Sequence, residues 1–481
     1  MVSKLSTPGV YVQETTTLPP SVAEVETAIP AFIGYTGKAL RGTEDLTWIP
    51  TRISGLDEYI LYFGAAEEET DASVTIAVIE DGEGNYGITI TPDAAKQSKY
   101  ILAYAIRHYF DNGGGSCYVV SVGPCTPGGT PSGDDLIKGL GYVHEVDEVT
   151  LLVIPDAQAS DKFDTVAEKL IEQASDLKDR FAIIDPKNVT LKDQINPEGM
   201  IDTDAKDLRE KAATGTVDRL SYAAAYYPNL TTVYGRNYKL DGLKIDKYHY
   251  TGKVTNPPHP DLTGKTMTDL GSGSLLYGKI KSDLGKCSVV LPPSAAIAGL
   301  YARVDKKKGV WKAPANETLL SVAGPTVSIS DAQQQNLNID PNTGKSINAI
   351  RTFPGYGTLV WGARTLNGND NEWRYVNVRR FFIMVEESIK KSSQWAVFEP
   401  NTIDTWVKMQ AMVENYLFLK WKEGALAGAK PEQAYYVRVG LGTTMTSLDI
   451  LEGRMNVEIG MAVARPAEFI VLKFSQLVQQ A

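Results

Sequence analysis

The sequence has few of the residues that build metal sites and disulfide-bonded scaffolds. Its 481 residues include three cysteines and four histidines. Cys117, Cys125 and Cys287 cannot all pair within one chain and form no Cys-x-x-Cys motif, so we expect neither a disulfide framework nor a zinc site. No two histidines have the spacing of paired metal ligands. The sequence therefore predicts no metal or other cofactor, and its thiols fit a reducing compartment.

Long apolar runs and an excess of positive charge are also missing. No stretch of eighteen apolar residues is present, so the sequence predicts no membrane-spanning helix. The first nine residues lack the apolar region of a secretion signal. The net charge of −10 argues against nucleic-acid binding and against attachment to anionic membranes. We expect synthesis in the cytoplasm, with export only as part of a larger particle.

A catalytic centre is hard to assemble from this sequence. Ser294 follows an apolar strand, and His108 or His144 could complete a triad with it. However, prolines at 292 and 293 precede the serine, so the segment does not form the Gly-x-Ser-x-Gly turn that exposes a nucleophile. A hydrolase would need such a triad or a metal cluster. We therefore expect a protein that is not an enzyme.

Three loops have the composition of ligand sites but not the spacing. Residues 113–115 are consecutive glycines that match neither a P-loop nor a dinucleotide-binding fingerprint. Residues 367–372 resemble a calcium loop but miss the EF-hand register. The lysines at 306–308 form only a weak candidate phosphate patch. We expect a solvated turn or loop at each.

The sequence does contain a regular alternation of helices and short apolar strands. Such strands, when they lie between helices, are typical of a parallel sheet that is covered on both faces. This pattern predicts an α/β domain, with surface segments at 65–90 (a loop or hairpin) and 229–286 (a β-rich insertion or long loop). The predicted strands are 31–37, 117–120, 149–154, 181–184 and 222–227, and the predicted helices are 53–63, 94–110, 134–141, 161–179 and 204–213.

The last quarter of the chain has a different, α+β character. Residues 376–394 place apolar side chains on one face with a period of 3.6, and a second long helix is predicted at about 402–423. Three strands are predicted after it, at 435–439, 455–463 and 469–474.

The charged face of the helix at 376–394 allows two interpretations. It could be the solvated side of an ordinary amphipathic helix, supported by pairs four residues apart such as Glu386 with Lys390. Alternatively, Arg380, Lys390 and Lys391 could form a docking face for an acidic partner. Exposed ion pairs contribute little stability on their own, so the sequence leaves both interpretations open.

Both ends of the chain have the composition of β-strands. An unpaired strand presents free N–H and C=O groups to other chains. Each end could pair within its own sheet, or it could be added to the sheet of a neighbouring subunit. We favour the second interpretation, which makes the protein a polymer subunit, because such contacts close into rings or continue as open helices. The residues predicted to be exchanged are Val10, Tyr11, Val12, Phe469, Ile470, Val471 and Leu472.

A series of short motifs runs along nearly the whole chain. It begins with TPGVYVQE at 7–14 and ends with RPAEF at 465–469. In this order the motifs resemble those of contractile tail sheath proteins, the family found in myophage tails and contractile injection systems. The segments 65–90 and 229–286 are the least covered. The intervening motifs lie at 49–54, 63–64, 291–305, 309–316, 361–366, 375–380 and 398–401.

The resemblance implies a structural subunit that polymerises helically around an inner tube and contracts to drive that tube through a target envelope. It implies an N-terminal exchange arm at 1–30, a subtilisin-like α/β middle or outer domain without an active site at 31–345, an inner domain at 346–464 and a C-terminal exchange arm at 465–481. It also implies that a helix of the C-terminal domain meets the tube. Our candidate is the helix at 376–394, with Arg380, Lys390 and Lys391 facing the tube, and the helix at 402–423 is the alternative that the resemblance leaves open.

The partners implied are further copies in stacked rings, the inner tube protein, and baseplate and terminal cap proteins. A sheath paralogue is a further candidate, whereas nucleic acid and membrane insertion are not expected. The alternative is a non-contractile structural polymer, such as a capsid-like or surface-layer protein.

Overall fold

The computed structural model describes residues 21–187, 197–253 and 260–472. The strands are β1 (Pro30–Thr36), β2 (Leu40–Arg41), β3 (Glu44–Asp45), β4 (Thr51–Ile53), β5 (Val74–Glu80), β6 (Tyr86–Pro92), β7 (Cys117–Pro124), β8 (Leu151–Val153), β9 (Phe181–Ile184), β10 (Ala223–Tyr227), β11 (Leu230–Gly235), β12 (Lys247–Tyr250), β13 (Ser288–Leu291), β14 (Glu317–Thr318), β15 (Val322–Pro325), β16 (Ile347–Phe353), β17 (Gly357–Val360), β18 (Tyr435–Val439) and β19 (Val457–Met461). The helices are α1 (Leu56–Phe63), α2 (Leu102–Asp111), α3 (Gly133–Val143), α4 (Phe163–Leu177), α5 (Pro197–Asp207), α6 (Val217–Leu220), α7 (Met267–Leu270), α8 (Leu275–Leu284), α9 (Ser294–Lys308), α10 (Asp331–Asn338), α11 (Val376–Ser392), α12 (Ile403–Lys422), α13 (Pro431–Ala434) and α14 (Ser447–Leu451).

The described residues divide into two compact units. The larger contains residues 26–384 and 465–472, and the smaller contains residues 21–25 and 385–464. This division moves the domain boundary predicted at 345/346, because β16 and β17 both belong to the main sheet of the larger unit. The last described segment, predicted as a C-terminal arm, also belongs to the larger unit.

A nine-stranded sheet lies at the centre of the larger unit, in the order β14-β17-β16-β10-β9-β8-β1-β7-β4. The six strands from β16 to β7 are mutually parallel. Both edges are antiparallel, with β4 on β7 and with β17 between β16 and β14. β8, β9 and β10 are buried along their whole length, as strands covered on both faces must be. The predicted parallel α/β sheet is therefore confirmed.

Helix α9 packs unusually closely against the rest of the core, and it was not predicted as a helix. Its first eight residues are all buried, and five of them are serine, alanine or glycine. A Cβ atom at Gly299 would lie 2.4 Å from the backbone oxygen of Tyr109 on α2. Small residues let the two helix backbones approach each other, so the apolar stripe that marks a surface helix is missing here.

Helix α2 begins at Leu102, although the apolar pattern predicts a helix from residue 94. The carboxylate of Asp156 accepts a hydrogen bond from the N–H of Ile101 at 3.0 Å. It thereby satisfies a backbone donor at the start of the helix, as a capping side chain does. Because Asp156 is fifty-five residues away in the sequence, the local pattern cannot reveal this cap.

The two predicted surface segments form one small subdomain. β5 and β6 make the hairpin predicted within 65–90, and β12 from the later segment pairs in parallel with β5. Leu243 and Ile245 share a core with Leu276 and Ile280 of α8. The segment at 229–286 is therefore not purely β, because it also contributes α7 and α8.

The smaller unit contains α12 and a two-stranded antiparallel sheet of β18 and β19. These elements confirm the helix predicted at 402–423 and the strands predicted at 435–439 and 455–463. The sheet register pairs Tyr435 with Met461 and Val439 with Val457.

Candidate assembly site

The C-terminal segment is tied to the larger unit through the carboxylate of Glu468. The Nη2 atom of Arg364 donates to it at 2.6 Å and the Nε atom at 3.0 Å. Asn338 Nδ2 donates at 2.8 Å and the Tyr375 hydroxyl at 3.2 Å. Burial alone would raise the pKa of Glu468, but the hydrogen bonds from Arg364 and Asn338 outweigh it and lower the pKa. The side chain is therefore held as a carboxylate.

Arg364 is itself held in place by Asn348 of β16 and by the Gly368 carbonyl. Its backbone N–H donates to the Asn348 side-chain oxygen at 2.7 Å, and the Asn348 amide donates back to the Arg364 carbonyl at 2.7 Å. Its Nη1 atom donates to the Gly368 carbonyl at 3.1 Å. The guanidinium is almost fully buried, so the carboxylate receptor is a rigid, built site.

The four residues after Glu468 are apolar and exposed. Phe469, Ile470, Val471 and Leu472 have 70%, 78%, 78% and 72% of their surface accessible. The strand predicted at 469–474 is not formed in the described part of that segment. An intrachain pairing of residues 469–472, one of the two interpretations open from the sequence, is therefore not what the structure contains.

The N-terminal strand residues Val10, Tyr11 and Val12 lie outside the described residues. In the smaller unit, the N–H groups of Ala23 and Val25 donate to the hydroxyls of Ser392 and Ser388, each at 3.1 Å, and Glu24 pairs with Lys420. The two contacts to serine, at residues 23 and 25, fix this segment beside the last two turns of α11.

Arg380 does not belong to an exposed charged face. It is 3% exposed, forms an ion pair with Asp305 at 2.5 Å, and lies over the Tyr301 ring at 4.4 Å. It also donates to the carbonyl of Thr27 at 2.8 Å, while the Thr27 hydroxyl donates to Asp305 at 2.6 Å. The prediction that Arg380 faces a partner is wrong for this structure, because its charge is used internally to hold the segment that precedes β1.

Lys390 and Lys391 lie in the smaller unit, with side chains 71% and 34% exposed. Both contact Glu387, at 3.2 Å and 3.5 Å. Lys391 lies four residues after Glu387, which is the spacing of an ordinary ion pair on one helix, and Lys390 lies three residues after it. The two lysines therefore share the carboxylate of Glu387.

The side chains considered for a serine-protease triad are not brought together. Ser294 is buried, and its N–H donates to Asp185 at 2.8 Å. His108 is buried and its Nε2 atom lies 3.1 Å from the Leu320 carbonyl, with burial lowering its pKa to about 4. His144 is exposed beside Glu145. Within the described ranges no cluster of three potential metal ligands is found, and none of the helices described is long and apolar enough to cross a bilayer.

Two buried carboxyl groups, those of Asp156 and Asp185, were not among the predicted site residues. Both lie just beyond parallel strands of the main sheet, β8 and β9. Burial raises the pKa of Asp156 to about 6 and that of Asp185 to about 7, although backbone N–H groups donate to both. An acidic residue within three positions of the end of an all-apolar strand was the available signal.

These two groups predict that stability falls as the pH rises. In an unfolded chain an aspartate has a pKa of about 4, so between pH 4 and 7 the folded state holds protons that the unfolded state has lost. The stabilisation is complete below about pH 4 and is lost as the pH rises to about 7. In wild type the free energy of unfolding should fall between pH 5 and 8. Asp185→Asn should make this fall smaller by about 3 kcal/mol, measured by denaturant unfolding.

Asp202→Asn is the control for this experiment, because Asp202 is exposed on α5. We expect it to keep the wild-type pH dependence. An Asp185→Asn chain with the same pH dependence as wild type would contradict the prediction.

Comparison with known proteins agrees with this architecture. The family model of the phage tail sheath protein central domain matches residues 129–366, and that of the phage tail sheath C-terminal domain matches residues 368–476. The chain is also 31% identical to a subunit of the anti-feeding prophage helical sheath in its contracted state, with a TM-score of 0.63 and coverage of 98% of this chain and 99% of that one. The chain belongs to the contractile tail sheath family.

Other members of the sheath family give similar matches. A chain of the sheath complex of the extracellular contractile injection system PVC, in the contracted state, is 31% identical with a TM-score of 0.61, covering 99% of both chains. The tail sheath protein of Enterobacteria phage T4 is 28% identical over 188 residues, which are 38% of this chain and 27% of the T4 protein. The match to that of Burkholderia phage BcepMu is 33% over 119 residues, or 24% of its length. The matched region thus spans about a quarter of the length of these two curated relatives.

Proposed function

We propose that this chain is a structural subunit of a contractile sheath, which polymerises helically around an inner tube and shortens to drive the tube through a target envelope. The observation that carries the proposal is the match over 98–99% of the chain to sheath subunits of two injection particles in the contracted state. The partners would be further copies, the inner tube protein, and baseplate and terminal cap proteins, with a sheath paralogue as a further candidate.

The larger unit suits a part that moves as a rigid body. Its nine-stranded sheet and covering helices share one continuous core, and close-packed interiors resist deformation. The relation of this unit to the subtilisin-like fold remains a prediction, supported by the parallel strands of its sheet.

We further propose that the chain ends are exchanged between subunits. The exposed apolar residues 469–472 have the composition of a strand without a partner. The β18–β19 sheet of the smaller unit has only two strands within the described residues, and two-stranded sheets are marginal on their own. Addition of strands from neighbouring chains would stabilise it through backbone hydrogen bonds, which persist while subunits rotate.

Electron microscopy of the purified full-length protein, with and without its tube protein, tests the proposal. We expect hollow, striated cylinders that occur in a long and a short form. Flat lattices would indicate a surface-layer protein, and closed shells would indicate a capsid-like polymer. Either result, or particles that stay monomeric with the tube present, would contradict a sheath.

The exposed lysines at the end of α11 give a prediction about the tube. If Lys390 and Lys391 contact an acidic tube surface, Lys390→Glu combined with Lys391→Glu should reduce tube-templated assembly at least tenfold, because like charges then meet. The effect is measured as the length of extended sheath formed on purified tubes at low salt.

The matched control for the tube experiment is Lys178→Glu with Lys206→Glu, which changes the net charge equally at exposed positions of the larger unit. We expect this control to assemble normally. Normal assembly of the Lys390/Lys391 variant would place the tube contact elsewhere on the subunit.

A further inference from the structure

We propose that Glu468 is a fixed anchor for the C-terminal arm. Its carboxylate stays in the Arg364 receptor both before and after assembly, so the exchanged part of the chain begins at Phe469. The inference rests on the proposed strand exchange and adds a positioning residue to it. Glu468 would act through the segment that follows it, by fixing where that segment leaves the subunit and in which direction.

The receptor is specific for a carboxylate. Arg364 approaches Glu468 with two nitrogen atoms, which is the side-on, bidentate arrangement that a guanidinium offers to a carboxylate. The amide of Asn338 and the hydroxyl of Tyr375 complete the set of donors. Four donors on three side chains therefore converge on one acidic group, and all of these contacts lie within the larger unit.

If Glu468 left the receptor, the free-energy cost would come mainly from Arg364. Arg364 is 3% exposed, so departure of Glu468 would leave a buried guanidinium without its counter-charge. Removal of one partner from a buried ion pair is strongly destabilising. Glu468, in contrast, has 22% of its side chain exposed and could be hydrated. The need of Arg364 for a counter-charge therefore keeps Glu468, and with it the start of the C-terminal arm, bound to the larger unit.

The anchor would also fix the register in which residues 469–472 pair with a neighbouring sheet. A strand that is added to a foreign sheet must enter it at a defined residue, because a slip by one position turns every side chain to the opposite face. A carboxylate locked at 468 places Phe469 and Val471 on one face and Ile470 and Leu472 on the other, at a fixed distance from the subunit core. Without the anchor, the same four apolar residues could pair in several registers.

The test compares Glu468→Gln with wild type in two measurements. Hydrogen–deuterium exchange of the receptor residues 364–366, whose N–H groups donate to Asn348, Arg374 and Ala223, should become at least tenfold faster in the unassembled full-length chain, with β1 unchanged. The concentration needed for assembly should rise at least tenfold, and the sheaths that form should be short and irregular. Glu432→Gln, at an exposed position, is the control and should behave as wild type.

A second variant covers the case in which Glu468→Gln does not fold because Arg364 is left unpaired. Arg364→Met with Glu468→Gln removes both charges, which is tolerated better than removing one. Wild-type exchange and assembly of either folded variant would overturn the anchor. If deletion of residues 469–481 blocks assembly while both variants assemble normally, the anchor is wrong and strand exchange stands. If that deletion assembles normally, strand exchange itself is wrong.

Discussion

Replacement of Ile470 by proline is expected to stop the formation of long sheaths while leaving a soluble, folded subunit. Proline has no N–H to donate to a strand ladder and is confined to the edges of sheets. Ile470 is exposed in the isolated chain, so the substitution should not disturb the core. The expected effect is at least a tenfold higher concentration for assembly, measured by sedimentation and electron microscopy.

Ile470→Val is the matched control, because valine keeps the β-branched shape and the backbone donor. It should assemble as wild type does, and deletion of residues 469–481 should reproduce the effect of proline. Long, regular sheaths from the proline variant or from the deletion would show that this end of the chain is not exchanged. The thermal unfolding of both chains should stay close to that of wild type.

Replacement of Arg380 by methionine is expected to destabilise the larger unit by about 3–5 kcal/mol. The substitution leaves Asp305 almost buried and without its ion-pair partner, and it removes a donor to the Thr27 carbonyl. The Tyr301 ring also loses the guanidinium that lies over it. Denaturant unfolding, followed by a probe in the larger unit, measures the change.

Arg380→Met with Asp305→Asn should recover most of the stability lost in the single variant, because no buried charge is then left alone. Lys306→Met is the control, at the residue next to Asp305 on α9. It replaces an exposed cation and should change the stability by less than about 0.5 kcal/mol. A single Arg380→Met variant as stable as this control would contradict the structural role of the ion pair.

The parts of the fold that the sequence predicts well are those in which local pattern and tertiary environment agree. β8, β9 and β10 are short apolar runs between helices, and a parallel sheet covered on both faces buries such strands completely. The long helix α12 and the strands β18 and β19 likewise match their predicted positions closely.

The misses share a cause, which is contact between residues far apart in the sequence. The start of α2 is set by Asp156, and the burial of Arg380 depends on Asp305 and on Thr27 at the other end of the chain. A charged residue on a helix is usually exposed, so the sequence places Arg380 outside. The small residues of α9 give no apolar stripe, and nothing local links β12 to β5.

The candidate site was predicted in part. The apolar residues 469–472 were expected to be available to another chain, and they are exposed here, but the acceptor of the exchange remains a prediction. Glu468 was visible only as one letter of the RPAEF motif, since its receptor is built from Asn338, Arg364 and Tyr375, which the sequence does not bring together.

The main sheet ends in two very short strands, with β14 only two residues long and β4 only three. Such short edge strands offer few backbone N–H and C=O groups to another chain. Many proteins protect the edges of a large sheet in this way. Long, unpaired edge strands on this sheet would promote aggregation of the subunit at high concentration. The short edges of the main sheet therefore leave β-pairing between chains to other segments of the subunit.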